Sequence, residues 1–314
     1  MVHWQDFMVA GDRLRLGGYQ LPISEGIVDR RFVGVGLALL RHAMTSHPYW
    51  FTVGMGGIDR PLPRLLRASG WHVRLAPLLF RVHRAGPVLR HVTPLRATRA
   101  RRMVRAVLAC SGLGRLAVYV HRRCAIRSPG RSWSMDVATG FESWADAIWD
   151  DAKGAYSLCA VRDAQALGQS YPPQDERYRC IRVHRDGVPR GWAVVSLLQT
   201  SRSRYFGDLR LGVILDCFGD REAAPAVAFH AARALDESGA DLIVTNQTAT
   251  FWVEAFRRCG FLNGPSNYGV TLSKPVVEHL EKADAWETAI HVTRGDGDGR
   301  VNILRDAVPA WALA

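Results

Sequence analysis

The sequence lacks the patterns that mark metal-bound, disulfide-bonded and membrane-spanning proteins. Its six cysteines lie far apart, without a CxxC pair or a Cys/His spacing, so neither a zinc site nor a disulfide framework is predicted. No uninterrupted apolar run approaches the roughly 18 residues of a membrane span. The first residues also lack the apolar core of a signal peptide. We therefore expect a cytoplasmic protein that holds no metal.

Acidic residues are missing from one long stretch. Between Arg60 and Met135 the sequence has 17 arginines and no Asp, Glu or Lys. The whole chain has a net charge of +12, so the rest of the chain is net negative. So basic a segment is typical of a surface that meets nucleic acid, anionic lipid or a polyanionic cofactor.

Within this stretch, residues 87–131 have no aromatic residues interleaved in the way that stacks bases, so we do not expect sequence-specific nucleic-acid binding. Apolar residues stand between the arginines instead, namely Val104, Val107, Leu108 and Leu113. That mixture favours contact with an anionic membrane surface, which would make the protein membrane-peripheral. A solvated helix face is the other interpretation.

The two halves of the chain share an order of predicted elements. Each has a strand, a helix, a strand that ends in a glycine or polar corner, a short helix that ends in Gly-aromatic, and a strand. The clearest local match is between "LLRASGW" (Leu65 to Trp71) and "AFRRCGF" (Ala255 to Phe261). This order predicts an internal duplication. We expect a first domain at 1–95, a basic helical connector at 96–134, a second domain at 135–305 and a tail at 306–314.

A glycine motif lies near the start, in "RRFVGVGLALL" (Arg30 to Leu40). It predicts a loop that opens into a helix, and helix N-termini can hold phosphate. A Walker A loop is excluded because no Lys-Ser or Lys-Thr follows. A dinucleotide fingerprint fits poorly, because Leu39 stands in place of the third glycine and the nearest acid, Asp59, comes after a glycine corner. A plain strand-to-helix corner remains open.

The stretch Arg31-Phe-Val-Gly34-Val-Gly36 resembles the Gln/Arg-x-x-Gly-x-Gly/Ala motif of the GCN5-related N-acetyltransferase (GNAT) superfamily. The resemblance implies an α/β (α+β) fold of two GNAT-like domains, each a mixed, mostly antiparallel sheet flanked by helices. It also implies that acetyl-CoA or another acyl-CoA is the co-substrate, with its pyrophosphate at this motif. The cofactor-binding residues that follow are Val28, Arg31, Phe32, Val33, Gly34, Val35 and Gly36.

The same resemblance implies a base that deprotonates the acceptor amine, because only the free amine attacks a thioester. Glu25 lies six residues before Arg31 on the predicted fourth strand and is the candidate; a solvated carboxylate at a strand end is the other interpretation. A tyrosine often protonates the leaving thiolate in the family, but its two positions hold Leu66 and Phe256 here. Only about 30 residues precede the motif, so we expect a shortened first domain.

The second half has "LDCFGDREAAPAV" where the glycine motif would fall. Because Asp216, Asp220 and Glu222 would repel a pyrophosphate, we expect acyl-CoA in the first half only. The resemblance then implies an N-acyltransferase, in the first place an N-acetyltransferase, with a small-molecule or peptide amine as acceptor. Two alternatives stay open, a non-catalytic scaffold or peripheral membrane module and an aminoacyl transferase of the FemAB type.

Overall fold

The computed structural model describes residues 2–19, 29–92, 112–203, 205–281, 289–297 and 307–313. These residues form two sheets and nine α-helices. The strands are β1 (Val2–Val9), β2 (Asp12–Tyr19), β3 (Trp50–Gly54), β4 (His72–Leu75), β5 (Leu78–Val82), β6 (Trp133–Ala138), β7 (Leu158–Ala160), β8 (Arg179–Arg185), β9 (Val188–Thr200), β10 (Arg210–Gly219), β11 (Leu242–Asn246), β12 (Leu262–Gly264), β13 (Gly269–Leu272), β14 (Ile290–His291) and β15 (Ala307–Pro309). The helices are α1 (Val33–Ser46), α2 (Pro61–Ala68), α3 (Ala85–His91), α4 (Leu113–Ala125), α5 (Ser143–Ala152), α6 (Ala164–Ser170), α7 (Ala224–Glu237), α8 (Thr250–Arg258) and α9 (Lys274–Leu280).

The first sheet has the strand order β14-β7-β1-β2-β3-β13-β4. Two of its pairings, β2 with β3 and β14 with β7, are parallel, and the others are antiparallel. Strands β2 and β3 are joined in the chain through α1, so β2-α1-β3 is a βαβ unit.

The second sheet has the order β12-β5-β11-β10-β9-β8-β6, with β15 paired to β9. Its parallel pair is β10 with β11, joined through α7, and the other pairings are antiparallel. Each sheet is thus mixed and mostly antiparallel around one βαβ unit. The predicted fold class, with two similar α/β units, is confirmed.

The two halves exchange strands, and the first sheet also contains β7 and β14 of the second half at its other edge. Strand β5 follows the elements of the first half, yet it lies between β11 and β12 of the second sheet. Strand β13 follows the elements of the second half, yet it lies between β3 and β4 of the first sheet. Each half therefore completes the sheet of the other, and the sequence did not predict this exchange.

The two short helices that end in Gly-aromatic close in the same way. In α2 the N–H of Trp71 donates to the carbonyl of Leu66 at 3.0 Å, and in α8 the N–H of Phe261 donates to that of Phe256 at 3.1 Å. The glycines before the aromatic residues have φ of 82° and 80°, the left-handed conformation that favours glycine. The local match between the halves therefore has a shared hydrogen-bonding pattern. Leu66 and Phe256 are both fully buried and belong to the core.

Helices α1 and α2 cover one face of the β2-β3 pair through a small apolar cluster of their own. Its buried members are Tyr19, Leu40, Ala43, Trp50, Leu66 and Trp71. The ring of Trp50 lies over Gly17, where an added Cβ would come within 2.5 Å of the ring. This contact explains why a glycine stands inside β2. None of the helices that the structure describes is long and apolar enough to cross a bilayer.

Candidate functional site

The topology decides where α1 begins. Strands β2 and β3 are parallel, pairing at Gly17 with Trp50 and at Gly18 with Phe51. A helix between parallel strands runs back along the sheet, so its N-terminus lies at the edge where both strands end. Tyr19, at the end of β2, and the glycine corner 54–57 that follows β3 belong to the same edge. This edge is where ligands bind in open α/β sheets, and it is the candidate site.

The chain enters α1 through a short 3₁₀ turn, Arg30–Phe32. The carboxylate of Asp29 accepts the backbone N–H of Arg31 at 2.9 Å and pairs with its guanidinium at 2.6 Å. The hydrogen bonds from Arg31 lower the pKa of Asp29, and the bond to Asp29 raises the pKa of Arg31. The Arg31 side chain is 83% exposed, so it is held within its own turn at the surface. A phosphate would compete with Asp29 for it.

The first turn of α1 has no side-chain cap and contains no acidic residue. Gly34 has a helical backbone, and a Cβ placed on it would meet no atom of the described residues within 4 Å beyond its chain neighbours and its own helix backbone. Among the described residues, neither the backbone conformation nor crowding therefore requires glycine here. The missing side chain at Gly34 lets an anion approach the N–H groups at the positive end of the helix dipole, although Val35 in the same turn has an exposed side chain.

The motif is more helical than its sequence predicts. The expected loop would have ended near Val35, but α1 begins at Val33 and takes both Gly34 and Gly36 into its first turns. Phe32 and Val35 are exposed, and Gly36 is partly buried. Glu25 and Val28 lie within 20–28, outside the described residues, so the role of Glu25 stays a prediction.

Tyr19 is a candidate that the sequence analysis missed. Its ring packs edge-on against Trp50, with the centroids 6.2 Å apart. Its hydroxyl is buried and has no hydrogen-bond partner among the described residues, and burial raises the pKa of the phenol. Buried polar groups are nearly always paired. Tyr19 is therefore a protonated phenol without a partner among the described residues, at the end of β2.

The corresponding edge of the second unit is occupied by the protein itself. Asp220 follows β10, and its carboxylate accepts the N–H of Ala223 at 2.7 Å just before α7. Asp220 also pairs with Arg190 at 3.3 Å, and Glu222 pairs with Arg185. A carboxylate of the chain therefore takes the place that an anionic ligand would need.

Aromatic side chains fill the space beside the end of β10. The hydroxyl of Tyr156 donates to the carbonyl of Gly219 and accepts the indole N–H of Trp252. The Nε2 atom of His291 lies 2.8 Å from the carbonyl oxygen of Cys217, and its ring stacks on Trp252. Side chains of the second unit thus close this end of its sheet.

Asp216 corrects one expectation about the second unit. From the sequence we expected Asp216, like Asp220 and Glu222, to repel a pyrophosphate at the helix start. Instead it lies buried inside β10. The guanidinium of Arg162 pairs with Asp216 at 3.0 Å and with Asp296 at 3.1 Å. Thr293 donates a hydrogen bond to Asp216 at 3.0 Å. Asp216 therefore belongs to a buried ion triad and presents no charge to the helix start.

The described residues contain no group of three or more His, Cys, Asp or Glu side chains placed to hold a metal ion. The candidate site therefore consists of helix N–H groups, Arg31 and Tyr19. Among the described residues it contains no carboxylate in an obvious catalytic position, because Asp29 is engaged with Arg31.

Comparison with known proteins bears on the fold. No family model and no curated protein matches the sequence. Among solved structures, a Saccharomyces cerevisiae N-myristoyltransferase with bound myristoyl-CoA matches with a TM-score of 0.50 over 87% of this chain and 62% of its own. This chain has the tandem GNAT fold. The identity to the yeast protein is 10%, so the likeness concerns the fold alone.

A second solved structure matches with a lower TM-score and is described as a GCN5-related N-acetyltransferase. A GCN5-related N-acetyltransferase from Kribbella flavida is 17% identical, with a TM-score of 0.42, over 79% of this chain and 77% of its own. This chain spans about three fifths of the length of the yeast protein, at 62%. The fold shared with the yeast protein agrees with the two-unit α/β fold that the resemblance implied.

Proposed function

We propose that this protein is an acyl-CoA-dependent N-acyltransferase that acts on an amine, with acetyl-CoA as the first candidate donor. The observation that carries the proposal is the uncapped first turn of α1, with a glycine at position 34, at the edge where β2 and β3 end. A structure of the same fold has been solved with bound myristoyl-CoA, which supports an acyl-CoA as donor. A long acyl chain is therefore the second candidate.

The donor would bind at the start of α1. Backbone N–H groups of 33–36 would hold the pyrophosphate, and Gly34 would let it approach because no Cβ stands in the way. Arg31 would turn from Asp29 to the phosphate and make a charge-assisted hydrogen bond. Val28, Phe32 and Val35 would complete the contact with the cofactor.

The reaction would be a direct transfer. The free amine attacks the thioester carbonyl, a C–N bond forms, the C–S bond breaks, and coenzyme A leaves as a thiolate that takes a proton. Glu25 is the proposed base that removes the proton from the amine. Tyr19 is the proposed donor to the thiolate, since Leu66 and Phe256 carry no proton to give. The second unit would bind no acyl-CoA and would instead shape the acceptor site.

Calorimetric titration with acetyl-CoA and with a long-chain acyl-CoA tests the donor. We expect Gly34→Asp to weaken binding at least about tenfold, because the new carboxylate repels the phosphates at short range. The matched control is Gly168→Asp in α6, a helical glycine where a Cβ also meets nothing within 4 Å. An unchanged affinity in Gly34→Asp would move the site elsewhere.

A milder variant separates steric access from charge. Gly34→Ala fits without contact and should stabilise α1 by about 0.5 kcal/mol, because alanine loses less conformational entropy than glycine in a helix. It should still weaken acyl-CoA binding, since the methyl group stands where the pyrophosphate approaches. If no acyl-CoA binds to the unmodified protein, the scaffold interpretation is favoured. Acyl transfer from aminoacyl-tRNA in the absence of coenzyme A would favour the FemAB-like alternative.

A further inference from the structure

A second candidate surface lies between α3 and α4. The two helices enclose an open groove of about 720 Å³. Its lining is dominated by basic side chains, namely His83, Arg84, Arg90, Arg115, Arg122 and Arg123. All of them belong to the stretch that lacks acidic residues.

The groove is remote from the edge at which α7 begins. The N–H groups of His83 and Arg84 donate to the carbonyl of Asp241, and the N–H of Asp241 donates to that of Arg210. Arg210 and Asp241 stand at the starts of β10 and β11. The groove therefore lies at the end of the second sheet opposite to Gly219.

Carboxylates compensate only part of the positive charge. Asp236 pairs with Arg122 at 3.0 Å and with the buried Arg81 at 2.6 Å. Asp241 lies 3.7 Å from the exposed Arg84. Arg115 and Arg123 are exposed, and neither has a carboxylate partner within the described ranges. The open side of the groove thus presents positive charge to solvent.

Helix α4 adds an apolar stripe to this charge. Leu113, Leu116 and Val120 follow the helical spacing i, i+3 and i+7, and they are 51%, 56% and 49% exposed. Tyr119 beside them is also exposed. The opposite side of α4 is tied to the protein through His121, whose Nε2 lies 3.0 Å from the carbonyl oxygen of Gly260. The stripe therefore points outward next to exposed arginines.

We propose that α4 and the arginine groove dock on an anionic phospholipid surface. Acidic headgroups match the arginines, and the boundary between headgroups and acyl chains covers the apolar stripe. A nucleic acid would match only the charge, since it leaves Leu116 and Val120 in water and finds one exposed aromatic side chain, Tyr119, on α4. The combination of charge and stripe therefore favours lipid.

Co-sedimentation of the full chain with vesicles tests this proposal. Binding is expected with phosphatidylcholine vesicles that contain phosphatidylglycerol and not with phosphatidylcholine alone, and it should weaken with added salt. Arg115→Gln/Arg123→Gln should reduce the partition coefficient roughly fivefold per arginine, about twenty-five-fold for the pair. Leu116→Ser/Val120→Ser should reduce it about tenfold, because two apolar side chains no longer leave water.

Two matched controls separate a docking surface from adsorption by net charge. Arg64→Gln/Arg67→Gln changes the net charge equally at two exposed positions of α2. Val137→Ser/Val188→Ser removes two other exposed valines. The proposal would be overturned if each control variant lost as much vesicle binding as the α4 variant that it matches, or if the unmodified protein did not bind the anionic vesicles. It would also be overturned if the protein bound an RNA oligonucleotide through Arg115 and Arg123 and did not bind anionic vesicles. Circular dichroism checks that each variant is folded.

A depth measurement gives a second readout. Cys124 is exposed one turn after Val120, and the other four cysteines that the structure describes are buried. A nitroxide on Cys124, in a Cys110→Ser background, should become accessible to oxygen dissolved in the bilayer when anionic vesicles are added. A label that stays accessible only to a water-soluble relaxant would contradict the proposed orientation.

Discussion

The two βαβ units have the same topology and differ in how the acidic residue before the helix is paired. Before α7, Asp220 accepts the N–H of Ala223, the residue next to the helix, and pairs with Arg190 of the neighbouring strand β9. Before α1, Asp29 accepts the N–H of Arg31 and pairs with the guanidinium of that same exposed residue. Neither helix has a side-chain cap in its first turn. The fold brings a helix N-terminus to the sheet edge in both units. The residues that precede each helix determine whether its N-terminal N–H groups are available to a ligand.

The strands that lead into these helices differ as well. Strand β2 buries Leu16 to Tyr19 without burying a charge, whereas β10 buries Asp216 in the triad with Arg162 and Asp296. The first unit therefore depends on apolar packing around Trp50, and the second also depends on compensated charges. The predictions below test this contrast.

The largest expected effect is on stability. Arg162→Leu would leave two buried carboxylates without a cation, so it should lower the free energy of unfolding by about 3–5 kcal/mol. Urea denaturation measures this change. The control is Arg233→Leu, which removes an exposed pair with Glu237 and should cost less than about 1 kcal/mol. Similar losses in both variants would show that the triad is no more important than a surface pair.

The next effect is on catalysis in the first unit. Tyr19→Phe removes only a hydroxyl that has no partner among the described residues, so the free energy of unfolding should stay nearly constant. The kcat for acyl transfer should fall about a hundredfold if Tyr19 donates the proton. Steady-state kinetics together with a melting curve separate the two quantities. An unchanged kcat would remove Tyr19 from the mechanism.

The smallest effect concerns the turn that precedes α7. Asp220→Ala should lower the free energy of unfolding by about 1 kcal/mol, because the N–H of Ala223 loses its acceptor. It should not create a second acyl-CoA site, since Tyr156, Trp252 and His291 still fill the space beside β10. Calorimetry that found two acyl-CoA per chain in this variant would contradict that account.

Local features of the fold were predictable and partners distant in sequence were not. The dipeptide Asp186-Gly187 predicts a hairpin turn between two strands, and both residues have the left-handed φ values that this turn requires, 50° and 81°, because turn chemistry is local. The Gly-aromatic helix ends follow for the same reason. The exchange of β5 and β13 was missed because an apolar run predicts a strand without specifying its neighbours.

The candidate site was also predictable only where its features are local in sequence. The glycine motif identified the start of α1, but the sequence could not show that Asp29 already holds Arg31. Tyr19 was missed because the burial of its hydroxyl depends on how α1 and α2 pack over Trp50. Asp216 was misplaced because its cation, Arg162, is 54 residues away in the chain.

The strand exchange sets an order of events during synthesis. Among the described residues, β4 pairs only with β13, which is made almost 200 residues later. The candidate site, built from β2, α1 and β3, therefore leaves the ribosome long before β13, the strand that joins β4 to β3. Until β13 arrives, the nascent first half exposes the edges of β3 and β4, which invite pairing with other chains. Acyl-CoA binding should thus appear only after the second half has emerged and folded.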